Sequence, residues 1–298
     1  MEHAPNVDVI MPPSSLANMK RAPVPHPYRD FEFAGWERAA AAYADTFESA
    51  TRLFADPLLD AVDLNPGANL LDNACGSGYV TQLAFERGAA VTGADFSAAM
   101  LAEARRLHPL VRFEQADAEA LPYADRSFAA VVINFGVHHF PFPEQALLEA
   151  RRVLRTSGRI AFTVWATPDL HALQGIALEA VRRAGDIGAS LPTPPQGGLN
   201  TLEACIALLY RAGFSPITEL CRLERRTLRL RAIAELSHLI ESGTVRLASL
   251  LRSQSRAKRA AILRCLETAA NRYQRDGNLE IPVVAVLVAA TPGTVRNA

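Results

Sequence analysis

Five short apolar runs lie between residues 69 and 165, and helical patterns alternate with them. The predicted strands are Asn69–Asn73, Ala90–Ala94, Val111–Gln115, Phe128–Phe135 and Gly158–Trp165. The predicted helices among them are Tyr79–Arg87, Ser97–Leu107 and Pro143–Leu154. Strands that are apolar on both faces and alternate with helices predict a parallel sheet with helices on both sides. Right-handed crossovers bring the carboxyl ends of such strands to one edge, where ligands bind.

The chain before this region divides into two parts. Residues 1–27 hold six prolines and no periodic apolar pattern, which predicts a flexible N-terminal arm. The segment Phe31–Leu64 is predicted to be helical, because apolar residues recur in it at spacings of three and four. Those that share one face are Trp36, Ala40, Tyr43 and Phe47.

The chain after residue 165 follows another pattern. Helices are predicted at Leu170–Ala184 and Thr201–Ala212, on either side of a Pro- and Gly-rich loop at Gly185–Gly198. Strands are predicted at Ser215–Leu230 and Leu279–Ala289. The segment between those two strands, Arg231–Asp276, carries no strand signal and is predicted to be a helical insertion.

Charge and composition exclude several classes of protein. The formal net charge is zero, so no long-range field would attract nucleic acid or an anionic membrane. Locally, Arg222–Arg264 holds eleven Lys/Arg against three Asp/Glu, which suits either a solvated helical surface or an anionic substrate. The four cysteines lack metal-ligand spacing, which predicts no bound metal, no disulfide and a cytoplasmic location. No apolar run approaches the roughly 18 residues of a membrane span.

A loop rich in small residues follows the first predicted strand and reads Asp72-Asn73-Ala74-Cys75-Gly76-Ser77-Gly78. Small residues keep such a turn tight and let the backbone approach a ligand. Dinucleotide-binding loops have the pattern G-x-G-x-x-G, and Thr81 stands where the third glycine belongs. Asp72 at the strand end suits an ammonium group better than a pyrophosphate. The loop therefore favours S-adenosylmethionine (SAM) over a dinucleotide.

Two further acids follow the second and third predicted strands. Asp95 lies 23 residues after Asp72, the length of one strand–helix–strand unit, and it could accept hydrogen bonds from ribose hydroxyls. Its alternative role is to cap the next helix, but Ser97 is better placed for that. Asp117, followed by Ala118, could accept from an adenine amino group, although it could also be an ordinary loop acid.

Adjacent histidines, His138 and His139, follow the fourth predicted strand and so face the same sheet edge. Either could act as a general base near neutral pH. In an extended conformation the two side chains could not both face a substrate, and the sequence does not distinguish between them.

These segments together resemble the class I SAM-dependent methyltransferases, above all the small-molecule branch similar to ubiquinone and menaquinone C-methyltransferases. The resemblance covers about residues 64–168 and rests on four motifs in order: LLDNACGSGYV, VTGADFS, FEQADAEALPYADRSFAAVVINFGVHHF and EARRVLRTSGRIAFTVWATP. It implies an α/β, Rossmann-like, seven-stranded and mostly parallel sheet of order 3-2-1-4-5-7-6, with the last strand antiparallel. It also implies one domain over 28–298, with substrate-pocket insertions at about 168–200 and 231–276.

The resemblance also implies roles for single residues. Asp72, Ala74, Gly76 and Gly78 would hold the methionine part of SAM, and Ala74 replaces the usual first glycine of the motif. Asp95, with Phe96 beside it, would bind the ribose, and Asp117 with Ala118 the adenine. Asn134 would pass under the sulfonium. The helix that carries Trp36 and Tyr43 would close over the cofactor.

The predicted activity is transfer of a methyl group from SAM, with S-adenosylhomocysteine as product. The predicted acceptor is an O, C or N atom of a hydrophobic small molecule that could be anionic, such as a quinone-like compound or a secondary metabolite. Apolar residues of the insertion suggest the hydrophobic acceptor, although most of them could simply pack the insertion onto the sheet: Leu236, Leu239, Ile240, Leu247 and Leu250. The alternatives are a tRNA or protein methyltransferase, and a SAM-binding protein without methyl transfer. The chain is expected to be a monomer or a homodimer.

Overall fold

The predicted sheet is present in the structure, a computed structural model that describes residues 26–186, 191–194 and 197–293. Its strands are β1 Asn69–Asn73, β2 Ala90–Asp95, β3 Arg112–Gln115, β4 Phe128–Asn134, β5 Leu154–Trp165, β6 Phe214–Pro216, β7 Arg222–Leu230, β8 Gln274–Arg275 and β9 Asn278–Pro292. The α-helices are α1 Pro27–Tyr43, α2 Glu48–Thr51, α3 Ala55–Asp60, α4 Tyr79–Glu86, α5 Ala98–Leu107, α6 Pro143–Val153, α7 Ala172–Ala184, α8 Leu202–Arg211, α9 Ile233–Gly243, α10 Arg246–Arg252 and α11 Arg256–Ala270.

The strand order is β3-β2-β1-β4-β5-β9-β6, and β7 pairs with β9 as well. The first five strands are parallel to one another, and β9 is antiparallel to β5. This confirms the predicted Rossmann-like order. In it β9 takes the place of the seventh strand, and β6 and β7 together take the place of the sixth.

The sheet has nine strands where seven were predicted. The predicted strand Ser215–Leu230 is interrupted by a 3-10 turn at Thr218–Leu220. Pro216 pairs with Ala290, whereas Arg222 pairs with Leu287, so this edge holds more residues than the stretch of β9 that it faces. The ninth strand is the two-residue β8.

The predicted continuous helix over Phe31–Leu64 is wrong. Helix α1 already begins at Pro27, and the chain turns between Ala44 and Phe47 before it resumes as α2, a 3-10 turn and α3. The Thr46 hydroxyl donates to the Ala42 carbonyl at 2.6 Å, a local bond that competes with the helical ladder. Further along, Pro57 cannot donate to the preceding turn, so α3 starts as a separate helix.

Apolar residues from both faces of the sheet form the core. Val131 packs on one face with Leu147 of α6 and Leu208 of α8. Its neighbour Val132 packs on the other face, in a cluster that includes Leu59 of α3. This alternation along a buried strand agrees with the predicted helix layers on both sides of the sheet.

Two predicted segments include residues that the structure does not describe. The arm over residues 1–27 lies outside the described residues except for His26 and Pro27, and the loop Gly185–Gly198 lies partly outside them. Helices α9, α10 and α11 lie within the predicted insertion Arg231–Asp276. Within the described part of the chain, none of the helices is both long and apolar enough to cross a membrane.

Candidate functional site

A cavity of about 760 Å³ lies at the carboxyl ends of β1, β2 and β4, and α1 forms part of its wall. Ten of the thirteen predicted site residues line it: Trp36, Tyr43, Ala74, Gly76, Asp95, Phe96, Asp117, Ala118, Asn134 and His139. Asp72 lines a smaller adjoining cavity that shares Ala74, Gly76 and Asn134 with the first. His138 lines a second large cavity. The remaining residue, Gly78, lies at the end of the loop, directly before α4, and packs against Phe113.

The loop after β1 makes its turns with left-handed backbone conformations. Gly76 and Gly78 have φ values of +55° and +86°, and Ala74 has +63°. The left-handed region costs a residue with a side chain roughly 1–2 kcal/mol, so Ala74 is the strained member of the three. A Cβ atom at Gly78 would lie 2.6 Å from the Phe113 ring. Gly78 therefore serves the turn and its packing, and the structure places it away from the cavity lining.

The carboxylate of Asp72 is only partly satisfied. Asp72 is 1% exposed, and its Oδ2 accepts from the Thr81 hydroxyl at 2.6 Å. The other oxygen, Oδ1, is buried and has no hydrogen-bond partner among the residues that the structure describes. Burial raises the pKa of Asp72 to about 7. Because an unpaired buried carboxylate oxygen is costly, this atom fits a cationic group such as the ammonium of an amino-acid cofactor.

We expect the substitution Asp72→Asn to stabilise the cofactor-free protein at pH 8. The pKa of Asp72 is about 7 in the folded protein and about 3.9 in an unfolded chain. The folded state therefore binds the proton more tightly, and stability falls as the pH rises between these two values. Asparagine keeps an acceptor for Thr81 but carries no charge, so the free energy of unfolding at pH 8 should rise by on the order of 3–4 kcal/mol.

Urea unfolding of both proteins at pH 4 and pH 8 measures this effect. At pH 4, near the unfolded pKa, the difference between the two proteins should be small, which makes that pH the internal control. A variant that is no more stable than wild type at pH 8 would show that Asp72 is not a buried, poorly paired charge.

Asp95 ties the loop to the end of β2. Its Oδ2 accepts from the Gly76 amide and its Oδ1 from the Ser97 amide, both at 2.9 Å. Ser97 is the N-cap of α5 and accepts from the Met100 amide at 3.1 Å, as predicted from its position. Each carboxylate oxygen can accept a second hydrogen bond, so Asp95 keeps capacity for hydroxyl groups in the cavity. Burial raises its pKa to about 6.

Asp117 has a partner that the sequence did not suggest. Arg29 of α1 forms ion pairs with both Asp117 and Glu119. The Oδ1 atom of Asp117 also accepts from the Glu119 amide at 2.9 Å. Arg29 and Glu119 line the same cavity. They were missed because 88 residues separate Arg29 from Asp117, and no local pattern connects them.

Asn134 and Tyr43 are held in place by neighbouring polar groups. The Asn134 amide donates to the Thr51 carbonyl at 3.2 Å and accepts from the Thr163 hydroxyl at 2.7 Å. The Tyr43 hydroxyl lies 3.0 Å from that of Thr51. These contacts fix two side chains of the cavity wall at the carboxyl end of β4.

The two histidines do not lie in an extended segment, so the restriction expected for an extended conformation, that only one ring could face a substrate, does not apply. Residues Val137–His139 form a 3-10 turn, which places the two rings 4.1 Å apart. His138 lines the second cavity, and His139 lines both cavities. Burial, with His139 next to it, lowers the pKa of His138 well below the usual value.

His139 forms a dyad with Glu32 of α1. Its Nδ1 lies 2.8 Å from Oε2 of Glu32, whose side chain is 3% exposed. The edge of the Trp36 ring contacts His139 at a centroid distance of 5.0 Å. By contrast, Nδ1 of His138 is buried without a partner among the described residues. The structure thus separates two histidines that the sequence left equivalent, and it adds Glu32 to the site.

The second cavity has a volume of about 1460 Å³ and shares Glu32, Trp36 and His139 with the first. Its wall comes from α1, the end of β5, the described parts of the loop before α8, and the helices α9 and α10. Ile240 and Leu247 line it, whereas Leu236 and Leu239 are buried in the core cluster between the insertion and the sheet. Most of the apolar residues named from the sequence therefore pack the insertion, as the simpler interpretation had it.

The fold and these carboxylates together define a class of protein. The sheet order, an unpaired carboxylate oxygen at the end of β1 and a second carboxylate at the end of β2 are the arrangement expected of a class I SAM-dependent methyltransferase. A family model described as a methyltransferase domain matches residues 71–162.

Curated relatives agree with this. Demethylmenaquinone methyltransferase of Thermus thermophilus is 37% identical over 167 residues, which cover 51% of this chain and 76% of that protein. The enzyme of the same name from Renibacterium salmoninarum is 35% identical over 134 residues, or 45% of this chain and 56% of that protein. The chain belongs to the class I SAM-dependent methyltransferase family and is related to its quinone methyltransferases.

The matches to curated relatives and to solved structures differ in how much of each protein they cover. The chain spans about half of the length of the first curated relatives that it matches. The YcgJ protein of Bacillus subtilis superimposes with a TM-score of 0.52 at 18% identity and covers 81% of this chain and 99% of its own. That structure supports the fold alone.

Proposed function

We propose that this protein transfers a methyl group from SAM to an O, C or N atom of a hydrophobic small molecule that can carry an anionic group. One observation carries the proposal: two cavities of different character meet at Glu32, Trp36 and His139. The first has the carboxylates that an adenosyl amino acid would need. The second is large and mostly apolar, and would hold the acceptor.

The residues of the first cavity, with Asp72 of the smaller adjoining cavity, fit SAM. Asp72 would receive the ammonium group at its unpaired oxygen, Asp95 the ribose hydroxyls, and Asp117 with Ala118 the adenine. Trp36 and Tyr43 of α1 would cover the cofactor and exclude water. When bound, SAM supplies a methyl group on a positively charged sulfur.

His139 is the proposed base. A carboxylate only accepts hydrogen bonds, so Glu32 holds the ring proton on Nδ1 and leaves the lone pair of Nε2 free. Nε2 can then take the proton that an O–H, N–H or acidic C–H of the acceptor loses when its bond to the methyl carbon forms. A positioned general base of this kind typically contributes 10²–10⁴-fold to the rate.

The second cavity supports a hydrophobic acceptor with an anionic group. Trp36, Phe47, Trp165, Ile240 and Leu247 give it a largely apolar wall. Arg246 places a cation in this wall, and its guanidinium donates to the Pro192 carbonyl at 2.6 Å. It has no carboxylate partner among the described residues, so it is available to an acidic oxygen of the acceptor. The quinone substrate in the names of the relatives is consistent with such a molecule.

A transfer assay with methyl-labelled SAM tests this proposal. Reduced demethylmenaquinone is the small-molecule probe, a bacterial metabolite extract widens the choice of acceptor, and bulk tRNA and cell protein are the macromolecular arms. We expect label in an organic-soluble product and none in tRNA or protein. Label only in a macromolecule would overturn the small-molecule assignment, and bound SAM without transfer in any arm would favour a binding protein.

A further inference from the structure

His171 lines the second cavity and belongs to a segment that none of the sequence motifs covers. It precedes α7 and is 2% exposed. Its ring stacks on Trp165 at a centroid distance of 4.4 Å and an angle of 11°. Both rings line the second cavity, together with His138 and His139.

The contacts of His171 determine which ring nitrogen carries the proton. Nδ1 accepts from the backbone amide of Val284 at 3.3 Å, so in the neutral ring the proton is on Nε2. Burial lowers the pKa of His171 to about 4, which keeps the ring neutral at ordinary pH. Nε2 has no hydrogen-bond partner among the residues that the structure describes.

A purely structural role explains only half of this arrangement. Val284 lies on β9 just beyond the point where Trp165 ends the pairing of β5, so its amide needs another acceptor, and Nδ1 supplies one. That role makes no use of Nε2. The ring borders the second cavity, so this donor is left for a molecule bound there.

We infer that His171 binds the methyl acceptor by donating a hydrogen bond from Nε2 to a carbonyl or hydroxyl oxygen. Together with Arg246 and His139, which line the same cavity, it would orient a molecule with oxygens at separate positions. This inference rests on the proposed function, since it takes the second cavity to be the acceptor site.

A pair of substitutions separates the two nitrogens. His171→Asn keeps an acceptor near the position of Nδ1 for Val284 but loses the distal donor. His171→Gln places an amide donor near the position of Nε2 and loses the contact with Val284. The probe is 1-tetralone, whose carbonyl only accepts hydrogen bonds, and its matched control is tetralin, which lacks that oxygen.

Binding is measured on protein saturated with S-adenosylhomocysteine, so that it does not depend on turnover. The chain has two tryptophans, Trp36 and Trp165, and both line this cavity. Quenching of their fluorescence reports 1-tetralone, and displacement of 1-tetralone reports tetralin. Loss of one neutral hydrogen bond should weaken 1-tetralone binding by about 3- to 10-fold in His171→Asn. His171→Gln should stay within about twofold of wild type, and tetralin binding should be the same in all three proteins.

Three outcomes would overturn the inference: 1-tetralone binding unchanged in His171→Asn, equal losses for 1-tetralone and tetralin, or no saturable binding of 1-tetralone to wild type. None of them bears on the transfer assay, because that assay follows labelled methyl groups. Failure of this inference can therefore be told apart from failure of the proposed function.

Discussion

Replacing His139 with asparagine is expected to lower kcat by about 10²–10⁴-fold, the usual contribution of a general base. The asparagine amide can still donate to Glu32, so the buried carboxylate keeps its partner while the base at the position of Nε2 is lost. Stopped assays at saturating SAM and acceptor measure kcat, and calorimetry with S-adenosylhomocysteine checks that the cofactor site is intact.

Two further variants make this result specific. Glu32→Gln keeps the shape of the side chain but no longer fixes the ring proton, so kcat should fall by less than in His139→Asn. His138→Asn is the matched control: its ring lines the second cavity, but it lacks a carboxylate partner among the described residues. A large loss in His138→Asn together with normal turnover in His139→Asn would exchange the two assignments. Normal turnover in both variants would show that neither histidine acts as the general base.

The second large effect is expected at Asp95. The variant Asp95→Ala should weaken SAM binding by about 10²–10⁴-fold, because hydrogen bonds to a charged group contribute about 1.5–3 kcal/mol each and two ribose hydroxyls would lose their acceptor. The substitution would also remove a contact that holds the loop after β1, since the Gly76 amide donates to this carboxylate at 2.9 Å. Calorimetric titration with SAM measures the change, and circular dichroism confirms that the variant is folded.

Asp117→Ala serves as the comparison for Asp95→Ala. Asp117 is already engaged by Arg29, and it would offer the adenine a single contact, so its loss should weaken SAM binding by less than about tenfold. If Asp95→Ala bound SAM as tightly as wild type, the ribose assignment would be wrong. If Asp117→Ala had the larger effect, the main carboxylate contact would lie on the adenine side.

The sheet and one side of the site could be predicted because both depend on local sequence. Apolar runs of strand length give β1 to β5, and parallel strands bring their carboxyl ends together wherever they lie in the chain. Asp72, Asp95 and Asn134 therefore come to one edge without any knowledge of packing. The unusual Thr81, first noted only as a missing glycine, proves to be the hydrogen-bond donor to Asp72.

The resemblance placed Trp36 and Tyr43 of α1 at the site, but the polar contacts that α1 makes there could not be predicted. The partners in the Glu32–His139 and Arg29–Asp117 pairs are 107 and 88 residues apart. Which residues Arg29 and Glu32 contact depends on how α1 packs across the edge of the sheet. The spacing of apolar residues in the sequence predicts a helix but not the position at which it packs. The 3-10 turn after β4, which sets the directions of the His138 and His139 rings, was likewise not predicted from the sequence.

A crystal structure with S-adenosylhomocysteine bound tests the central claim most directly, because the claim concerns where the cofactor and the acceptor cavity meet. We expect the ligand in the first cavity, with its ribose on Asp95 and its amino group reaching Asp72 in the smaller adjoining cavity. The second cavity should be left open for an acceptor beside His139. Ligand density in the second cavity, or an amino group that contacts neither oxygen of Asp72, would contradict the account.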